Sequence, residues 1–179
     1  MKKQLFNLLL LISLFISVSA QIKEARKIEE FGIINCGYFM AVMDGLFQVW
    51  RNSPESEIYV IYYGARFRKR FSEWNQETRS YNRLHLDYAH RDDGLNRAKS
   101  IPLYLTTYES YPPETRNLIK DKIVLINGGY RENTEVEVWL VPKDTEPPKP
   151  TPTIDEKYIK FRNDRPWRVH NFTMCYSGL

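Results

Sequence analysis

The stretch Ile58-Tyr59-Val60-Ile61-Tyr62-Tyr63 (IYVIYY), which runs into Gly64, decides the fold of this chain. A short, uninterrupted run of apolar and aromatic β-formers predicts a strand that is covered on both faces. Such a strand lies in the middle of a sheet and needs helices or further chain on either side. The rest of the sequence is therefore interpreted as the elements that surround this strand.

A first strand and a first helix are predicted before it. Lys27 to Asn35 (KIEEFGIIN) has the pattern of a short strand. Gly37 to Arg51 then carries apolar residues at the spacing of an amphipathic helix, and Asn52-Ser53-Pro54 ends it. The helix stripe is Phe39, Val42, Met43, Leu46, Phe47 and Trp50. It is interpreted as core packing.

After Gly64 the pattern becomes irregular. Residues 66–92 are polar, charged and aromatic without a clean period, which predicts a long excursion with room for a short helix of its own. A second helix is expected to begin at Asp92 or Asp93 and to run through Leu105. Pro102 lies inside it, so either the helix kinks or its regular part starts later. Tyr111-Pro112-Pro113 is expected to end this region.

Two further strands are predicted near the end of the domain. Ile123 to Ile126 (IVLI) indicates a buried strand, and Asn127-Gly128-Gly129 is interpreted as the turn after it. Thr134 to Val141 (TEVEVWLV) alternates, with apolar residues on one face and Glu135 and Glu137 on the other. That strand is expected to pair with its predecessor and to expose both glutamates.

The predicted order is strand, helix, strand, helix, strand, strand, which gives an α/β fold of two layers, a sheet and its helices. Both strand–helix–strand crossovers are expected to be right-handed. The domain is assigned to residues 21–142. A proline-rich linker (143–153) and a C-terminal tail (154–179) follow it.

Residues 1–20 have the pattern of a cleavable signal peptide. Lys2 and Lys3 precede an apolar run, and Val18-Ser19-Ala20 places small residues where a signal peptidase cuts. Cleavage before Gln21 is expected, and the protein is then exported to the periplasm or secreted. The alternative is an uncleaved N-terminal anchor. After cleavage no transmembrane segment is expected.

Charge and motifs exclude several function classes. Without Lys2 and Lys3 the formal net charge falls from +4 to +2, so a nucleic-acid partner is not predicted. Two histidines, His85 and His90, lie near aspartates but lack a third histidine nearby, so no metal site is expected. There is no nucleophile elbow, no recognisable Ser–His–Asp or Cys–His context and no glycine-rich phosphate loop. No catalytic residue and no cofactor are predicted.

Several motifs resemble the OmpA-like peptidoglycan-associated domain family. Leu95 to Leu105 (LNRAKSIPLYL) is similar to the second-helix motif of that family, in which an Arg-Ala pair is followed by an apolar residue and a Tyr-Leu pair. Asn133 to Val138 (NTEVEV) resembles its last strand, and Ile58 to Gly64 resembles its central strand. The chain is also similar to a group of exported acidobacterial proteins of unassigned function. The shared motifs there are FQVWRNSPES, a YGGR-like strand end, GGYRE, a VELW-like strand and PTPT.

The resemblance implies a non-catalytic domain of the cell envelope that binds peptidoglycan or another anionic envelope component. In the family, an Asp after the central strand and the Arg of the Arg-Ala pair hold the amine and the carboxylate of a diaminopimelate residue. Arg97 matches that Arg, but Ala65-Arg66-Phe67 stands where the Asp would be. The predicted ligand-binding residues are therefore Arg97, Arg66 and Arg68, and zwitterion binding is expected to be weak unless Asp87, Asp92 or Asp93 replaces the missing acid.

Two other functions stay open. An exported enzyme, such as a hydrolase, could have its site in the 66–92 insertion. An interaction module could use the basic run Arg66 to Arg70 to recruit an anionic partner, although such runs are often only solvated loops. The oligomeric state is not predicted.

Cys36 and Cys175 are the only cysteines, and an even count in an exported protein favours a disulfide over two free buried thiols. Such a bridge closes a loop of about 140 residues and stabilises the fold by about 4–5 kcal/mol in the chain-entropy model. We expect reduction to lower the midpoint of thermal unfolding. Thiol titration of the untreated, folded protein checks the pairing, and two reactive thiols would disprove it.

Overall fold

The strand predicted from IYVIYY spans Glu57–Ala65 and lies inside a four-stranded sheet. The computed structural model describes residues 24–71, 74–75, 80–81 and 84–162. In chain order, the elements within these ranges are β1 (Arg26–Phe31), α1 (Cys36–Arg51), β2 (Glu57–Ala65), β3 (Phe67–Phe71), β4 (Trp74–Asn75), β5 (Ser80–Tyr81), β6 (Leu84–Tyr88), α2 (Asp93–Ala98), α3 (Ser100–Thr107), α4 (Pro113–Lys120), β7 (Ile123–Arg131), β8 (Glu135–Val141) and a 3-10 helix (Glu156–Tyr158).

The sheet has the order β1-β8-β2-β7 and is mixed. β2 runs parallel to β7 and antiparallel to β8, and β8 is also antiparallel to β1. The prediction that the last strand pairs with its predecessor is therefore wrong, because β8 inserts between β1 and β2. Asn127-Gly128-Gly129 is not a turn either, since β7 continues through it to Arg131. A mixed α/β fold is confirmed.

The main core lies between the helices and one face of this sheet. The alternation predicted for β8 is correct on this face, where Val136 and Val138 are fully buried. Helix α1 packs the predicted apolar stripe onto it, and α3 adds Ile101 and Leu105. Aromatic rings fill the space between helices, with Phe47 and Tyr111 stacked at a centroid distance of 3.7 Å.

Helix α1 begins and ends close to the predicted residues. Asn35 caps it, because its side-chain oxygen accepts a hydrogen bond from the Tyr38 N–H at 2.9 Å. It ends at Arg51, just before the predicted Asn52-Ser53-Pro54 breaker. The first strand is shorter than predicted, since β1 stops at Phe31.

The predicted second helix is divided into α2 and α3, which are separated at Lys99. The break precedes Pro102, whose missing N–H removes one helical hydrogen bond. The second helical segment, α3, therefore starts at Ser100, just before the proline. A later start of the regular helix is one of the two predicted alternatives. Helix α4 was not predicted. Pro113 is its first residue, a position where proline is well suited, although the Pro-Pro pair had been interpreted as an end.

The 66–92 excursion contains strands in its described residues. β3 pairs with β6 in antiparallel register, from Phe67 opposite Tyr88 to Phe71 opposite Leu84. The short β4 and β5 pair farther along. We call the paired strands β3 and β6 the ribbon. Where the sequence allowed for a short helix, the described residues of the excursion form β-strands.

The proline-rich region returns to the sheet. The backbone N–H groups of Thr153 and Ile154 both donate to the Tyr130 carbonyl, at 3.0 and 3.1 Å. The Arg162 N–H donates to the Ala89 carbonyl at 3.1 Å. We call residues 151–162 the returning segment. The boundaries predicted at 142 and 153 stay predictions, and both the predicted signal peptide and Cys175 lie outside the described residues.

Gly94 fixes the position of α2 on the sheet. A Cβ at this residue would lie 2.9 Å from both the carbonyl carbon and the carbonyl oxygen of Tyr63. Because those atoms are backbone, they cannot turn aside as the end of a flexible side chain can. Glycine is therefore needed for α2 to approach the carboxyl end of β2.

Replacing Gly94 tests this contact. We expect Gly94→Ala to lower the free energy of unfolding by about 1–3 kcal/mol, because the methyl group forces backbone apart. Gly45→Ala is the matched control, since a Cβ at Gly45 in α1 meets nothing within 4 Å. That change should be neutral or stabilise by about 0.5–1 kcal/mol. Urea unfolding of both variants measures the difference, and equal effects would contradict the account.

Candidate functional site

The predicted ligand residue Arg97 lies in the last turn of α2 and not at an exposed helix start. Its side chain is half-buried, and one terminal nitrogen donates a hydrogen bond to the Gly32 carbonyl at 3.1 Å. Gly32 belongs to the connection between β1 and α1. This hydrogen bond joins α2 to that connection.

Arg66 and Arg68 lie in a different setting. The Arg66 side chain is exposed, rests 5.3 Å from the Phe67 ring centroid and is 4.0 Å from a carboxylate oxygen of Glu132. Arg68 is paired with Asp87 in the register of the ribbon, and its side chain is outside the described part. These contacts of Arg66 and Arg97 are with different segments, so they do not bring the two side chains together.

Of the three aspartates that could replace the missing acid, Asp92 is the best placed. Its side chain is 54% exposed. Burial raises the pKa of Tyr62, and the nearby charge of Asp92 raises it further, so the carboxylate lies close to this end of β2. The Asp93 carboxylate instead accepts a hydrogen bond from the His90 N–H at 3.0 Å. Asp87 is described only by its backbone.

The histidine motif does not gather metal ligands. His90 lies 3.9 Å from an oxygen of Asp92, and His85 is described only as a ribbon residue. In the described ranges there is no group of three His, Cys, Asp or Glu side chains arranged to hold a metal ion. Across the same residues, none of the helices has both the length and the apolar character to cross a bilayer.

A charge cluster on the other face of the sheet was not predicted. Its centre is Arg131, whose side chain is only 11% exposed. An arginine has five N–H donors, and all of them are used here. The acceptors are Glu30 at 2.7 Å, Glu135 at 2.9 Å, Glu137 at 2.7 Å, and the hydroxyl and carbonyl of Thr151 at 2.6 and 3.2 Å.

Glu137 is the buried acid of this cluster. The prediction that Glu137 is exposed is wrong, because only 3% of its side chain is exposed. Besides Arg131, the Lys27 ammonium and the Trp139 ring N–H donate to it, at 3.1 and 3.0 Å. Burial raises the pKa of Glu137, but the hydrogen bonds from Arg131, Trp139 and Lys27 outweigh burial and leave the pKa below its ordinary value.

Tyr63 joins the cluster to the returning segment. The Arg131 guanidinium lies 3.6 Å from the Tyr63 ring centroid, a cation–π contact over a fully buried ring. The Tyr63 hydroxyl accepts a hydrogen bond from the Thr151 N–H at 3.1 Å. β2, β7, β8, β1 and the returning segment are thereby linked through one cation. The arrangement is structural, since every N–H of Arg131 is already used.

A second polar group lies among the helices. Asp44 of α1 accepts hydrogen bonds from the hydroxyls of Tyr104 and Tyr111. Burial raises the pKa of Tyr111, and its hydrogen bond to Asp44 raises it further. Tyr108 stacks on Tyr104 with a centroid distance of 4.7 Å. The tyrosines remain protonated donors and hold α1 against α3 and against the connection that precedes α4.

The comparisons with known proteins add no relative: the chain matches no family model, no curated protein and no solved structure. The resemblance to the OmpA-like family therefore stays a prediction from the motifs.

The Arg131 cluster predicts an acid-dependent stability. A carboxylate with a lowered folded-state pKa stabilises the fold above its ordinary pKa of 4.5, and that contribution is lost as the pH falls through the folded value. Glu137→Gln should remove part of this dependence. Arg131→Met should lower the free energy of unfolding by about 3 kcal/mol at neutral pH, because the buried Glu137 loses its guanidinium partner.

Urea unfolding at neutral and acidic pH measures both effects. Glu146→Gln is the matched control, since Glu146 forms an exposed pair with Lys149 at 2.9 Å and its loss should change little. If Glu137→Gln leaves the acid dependence unchanged, Glu137 does not contribute in this way.

Proposed function

We propose that this chain is a non-catalytic, exported domain of the cell envelope, with an OmpA-like arrangement, that binds a carboxylate-bearing envelope component weakly. The ligand class includes peptidoglycan peptides and simpler anions. The order of the sheet and helix elements supports the proposal. Apart from the strands β3 to β6, the elements β1, α1, β2, the helices α2 to α4, β7 and β8 follow the predicted strand-helix-strand-helix-strand-strand order.

The observation that carries the proposal is the close packing of α2 on β2. Because Gly94 admits the Tyr63 carbonyl, the helix that bears Arg97 is placed at the carboxyl end of a strand with a parallel neighbour. Ligands of open α/β sheets bind at that end of the strands. We infer that Arg97, three residues after Gly94 on the same helix, serves as the recognition residue.

The charges favour a carboxylate with a weakly held amine. A guanidinium offers a planar fork that matches a carboxylate. The contact with the Gly32 carbonyl orients the Arg97 side chain and leaves it half-buried. Asp92 supplies a negative charge near Tyr62, but it is more than half exposed, so its attraction for an amine is screened by water. A zwitterion should therefore bind more weakly than it would with a buried acid.

Ligand titration of Arg97 variants tests the proposal. We expect a muropeptide that contains diaminopimelate to bind weakly, and a plain dicarboxylate to bind with similar affinity. Arg97→Ala should abolish both interactions while the free energy of unfolding changes little. Calorimetric titration measures binding, and urea unfolding verifies the fold of the variant.

Arg116→Ala is the matched control. Arg116 is also a helical arginine that donates to a backbone carbonyl, that of Thr107 at 3.3 Å, but it lies on α4. Its loss should not change binding. Tight muropeptide binding that survives Arg97→Ala would overturn the proposed site, and equal losses in both variants would show only a general charge effect.

A further inference from the structure

The two edge strands of the four-stranded sheet differ in character. β1 forms one edge and β7 the other. β1 is protected from pairing with another chain, because four of its six residues are charged and a bulge between Lys27 and Glu29 interrupts its register. The first five residues of β7, by contrast, have no charge, no proline and no bulge. We call residues 123–127 the uncharged edge.

The pairing with β2 shows which backbone groups of the uncharged edge point outward. The Ile58 N–H donates to the Lys122 carbonyl at 2.7 Å, and the two strands keep one register from there through residue 127. In a parallel pair of this register, alternate residues of β7 bond to β2. The residues of the uncharged edge that bond to β2 are Val124 and Ile126. Those whose N–H and C=O groups point away from β2 are Ile123, Leu125 and Asn127.

Within the part of the chain that the structure describes, only the returning segment bonds to the outer side of β7. The Thr153 and Ile154 N–H groups donate to the Tyr130 carbonyl, at 3.0 and 3.1 Å. This contact lies beyond Gly129, where the backbone bends with a φ of 84°. The uncharged edge lies before that bend, and its side chains are partly exposed, with Asn127 the most exposed. The described residues thus cover the second part of β7 and leave the first part accessible.

The outward groups of the uncharged edge are complementary to themselves. If two copies meet antiparallel about a two-fold axis at Leu125, that residue stands opposite its counterpart and Ile123 stands opposite the second copy's Asn127. All three are outward residues, so each such pair exchanges two N–H···O bonds. Between them, Val124 stands opposite the second copy's Ile126. No charged side chain enters any of these pairs.

The side chains favour the same arrangement on both faces. Ile123 and Leu125 pack against the main core, so Val124 and Ile126 lie on the other face of the sheet. The two-fold register places leucine against leucine on the first face and valine against isoleucine on the second. Pairs of apolar and β-branched residues are those that stabilise neighbouring strands.

We propose that the uncharged edge of β7 pairs with the same edge of a second copy of this chain, so that two four-stranded sheets join into one. A stable interface buries about 1,200–2,000 Å², and a pairing of five residues from each copy is smaller. The dimer is therefore weak, and it forms as the protein concentration rises. It does not involve Arg97 and is independent of the ligand site on α2.

Amide hydrogen exchange of the wild type tests the pairing residue by residue, with the chain from Gln21 onward, which keeps every described element and lacks the apolar leader. Sedimentation velocity gives the dimer fraction from micromolar to millimolar concentration. Where the dimer dominates, we expect exchange of the Ile123, Leu125 and Asn127 amides to slow by at least about tenfold. The amides of Val124 and Ile126, which bond to β2, are internal controls and should be slow at every concentration.

A pair of charged variants tests the register. Val124→Glu and Ile126→Lys should each raise the dissociation constant of the dimer by at least about tenfold, because a charge then faces an apolar residue of the second copy. An equimolar mixture of the two variants should recover a dissociation constant within about threefold of the wild type. In the mixed dimer the new carboxylate of one copy lies opposite the new ammonium of the other.

The matched control variants are Leu103→Glu and Ile33→Lys. They add the same charges at apolar residues that are 44% and 57% exposed and lie outside β7. Both should dimerise as the wild type does, alone and mixed, and urea unfolding verifies the fold of every variant. A wild type that stays monomeric throughout would overturn the proposal, as would folded edge variants that dimerise normally or show no recovery on mixing. Slow exchange of the outward amides in the monomer would show that another part of the chain covers the edge, and would overturn it too.

Discussion

The hydrogen bonds of the Arg131 guanidinium hold together the face of the sheet that lies opposite the main core. A cation placed there without partners would carry a large desolvation cost, and each of its N–H groups must be satisfied. Three glutamates and Thr151 supply the acceptors, and the Tyr63 ring covers its flat side. The acceptors come from β1, β8 and the returning segment, while Arg131 ends β7. One side chain therefore fixes the relative position of elements that are far apart in sequence.

Much of the fold was predictable because hydrophobic period and turn residues act locally. The buried run around Ile61 indicated the central strand, and the helical spacing around Met43 indicated α1. Sheet order was not predictable in this way. Whether β8 pairs with β7 or inserts beside β2 depends on long-range packing, and both arrangements are compatible with the alternation of Val136 and Val138.

The same difference between local signals and long-range packing applies to the candidate site. Arg97 was singled out because a motif surrounds it, and its role as a ligand residue stays a prediction. Glu137 was misinterpreted, because alternation alone marks the side of a strand that faces away from the main core and cannot reveal that this side is also covered. The returning segment covers part of it, and its prolines had suggested only an extended linker. A carboxylate two residues before a tryptophan, with an arginine six residues earlier, was the available but weak signal.

The sheet order also bears on how the chain is made. β1 and β2 are not neighbours, and the strand that joins them, β8, is the last of the four to be synthesised. A chain that has emerged from the ribosome up to α4 has two strands with no partner between them. Such a piece holds exposed backbone edges and apolar faces, the features that lead to aggregation and that holding chaperones bind. Completion of the sheet must therefore wait until residues 135–141 emerge.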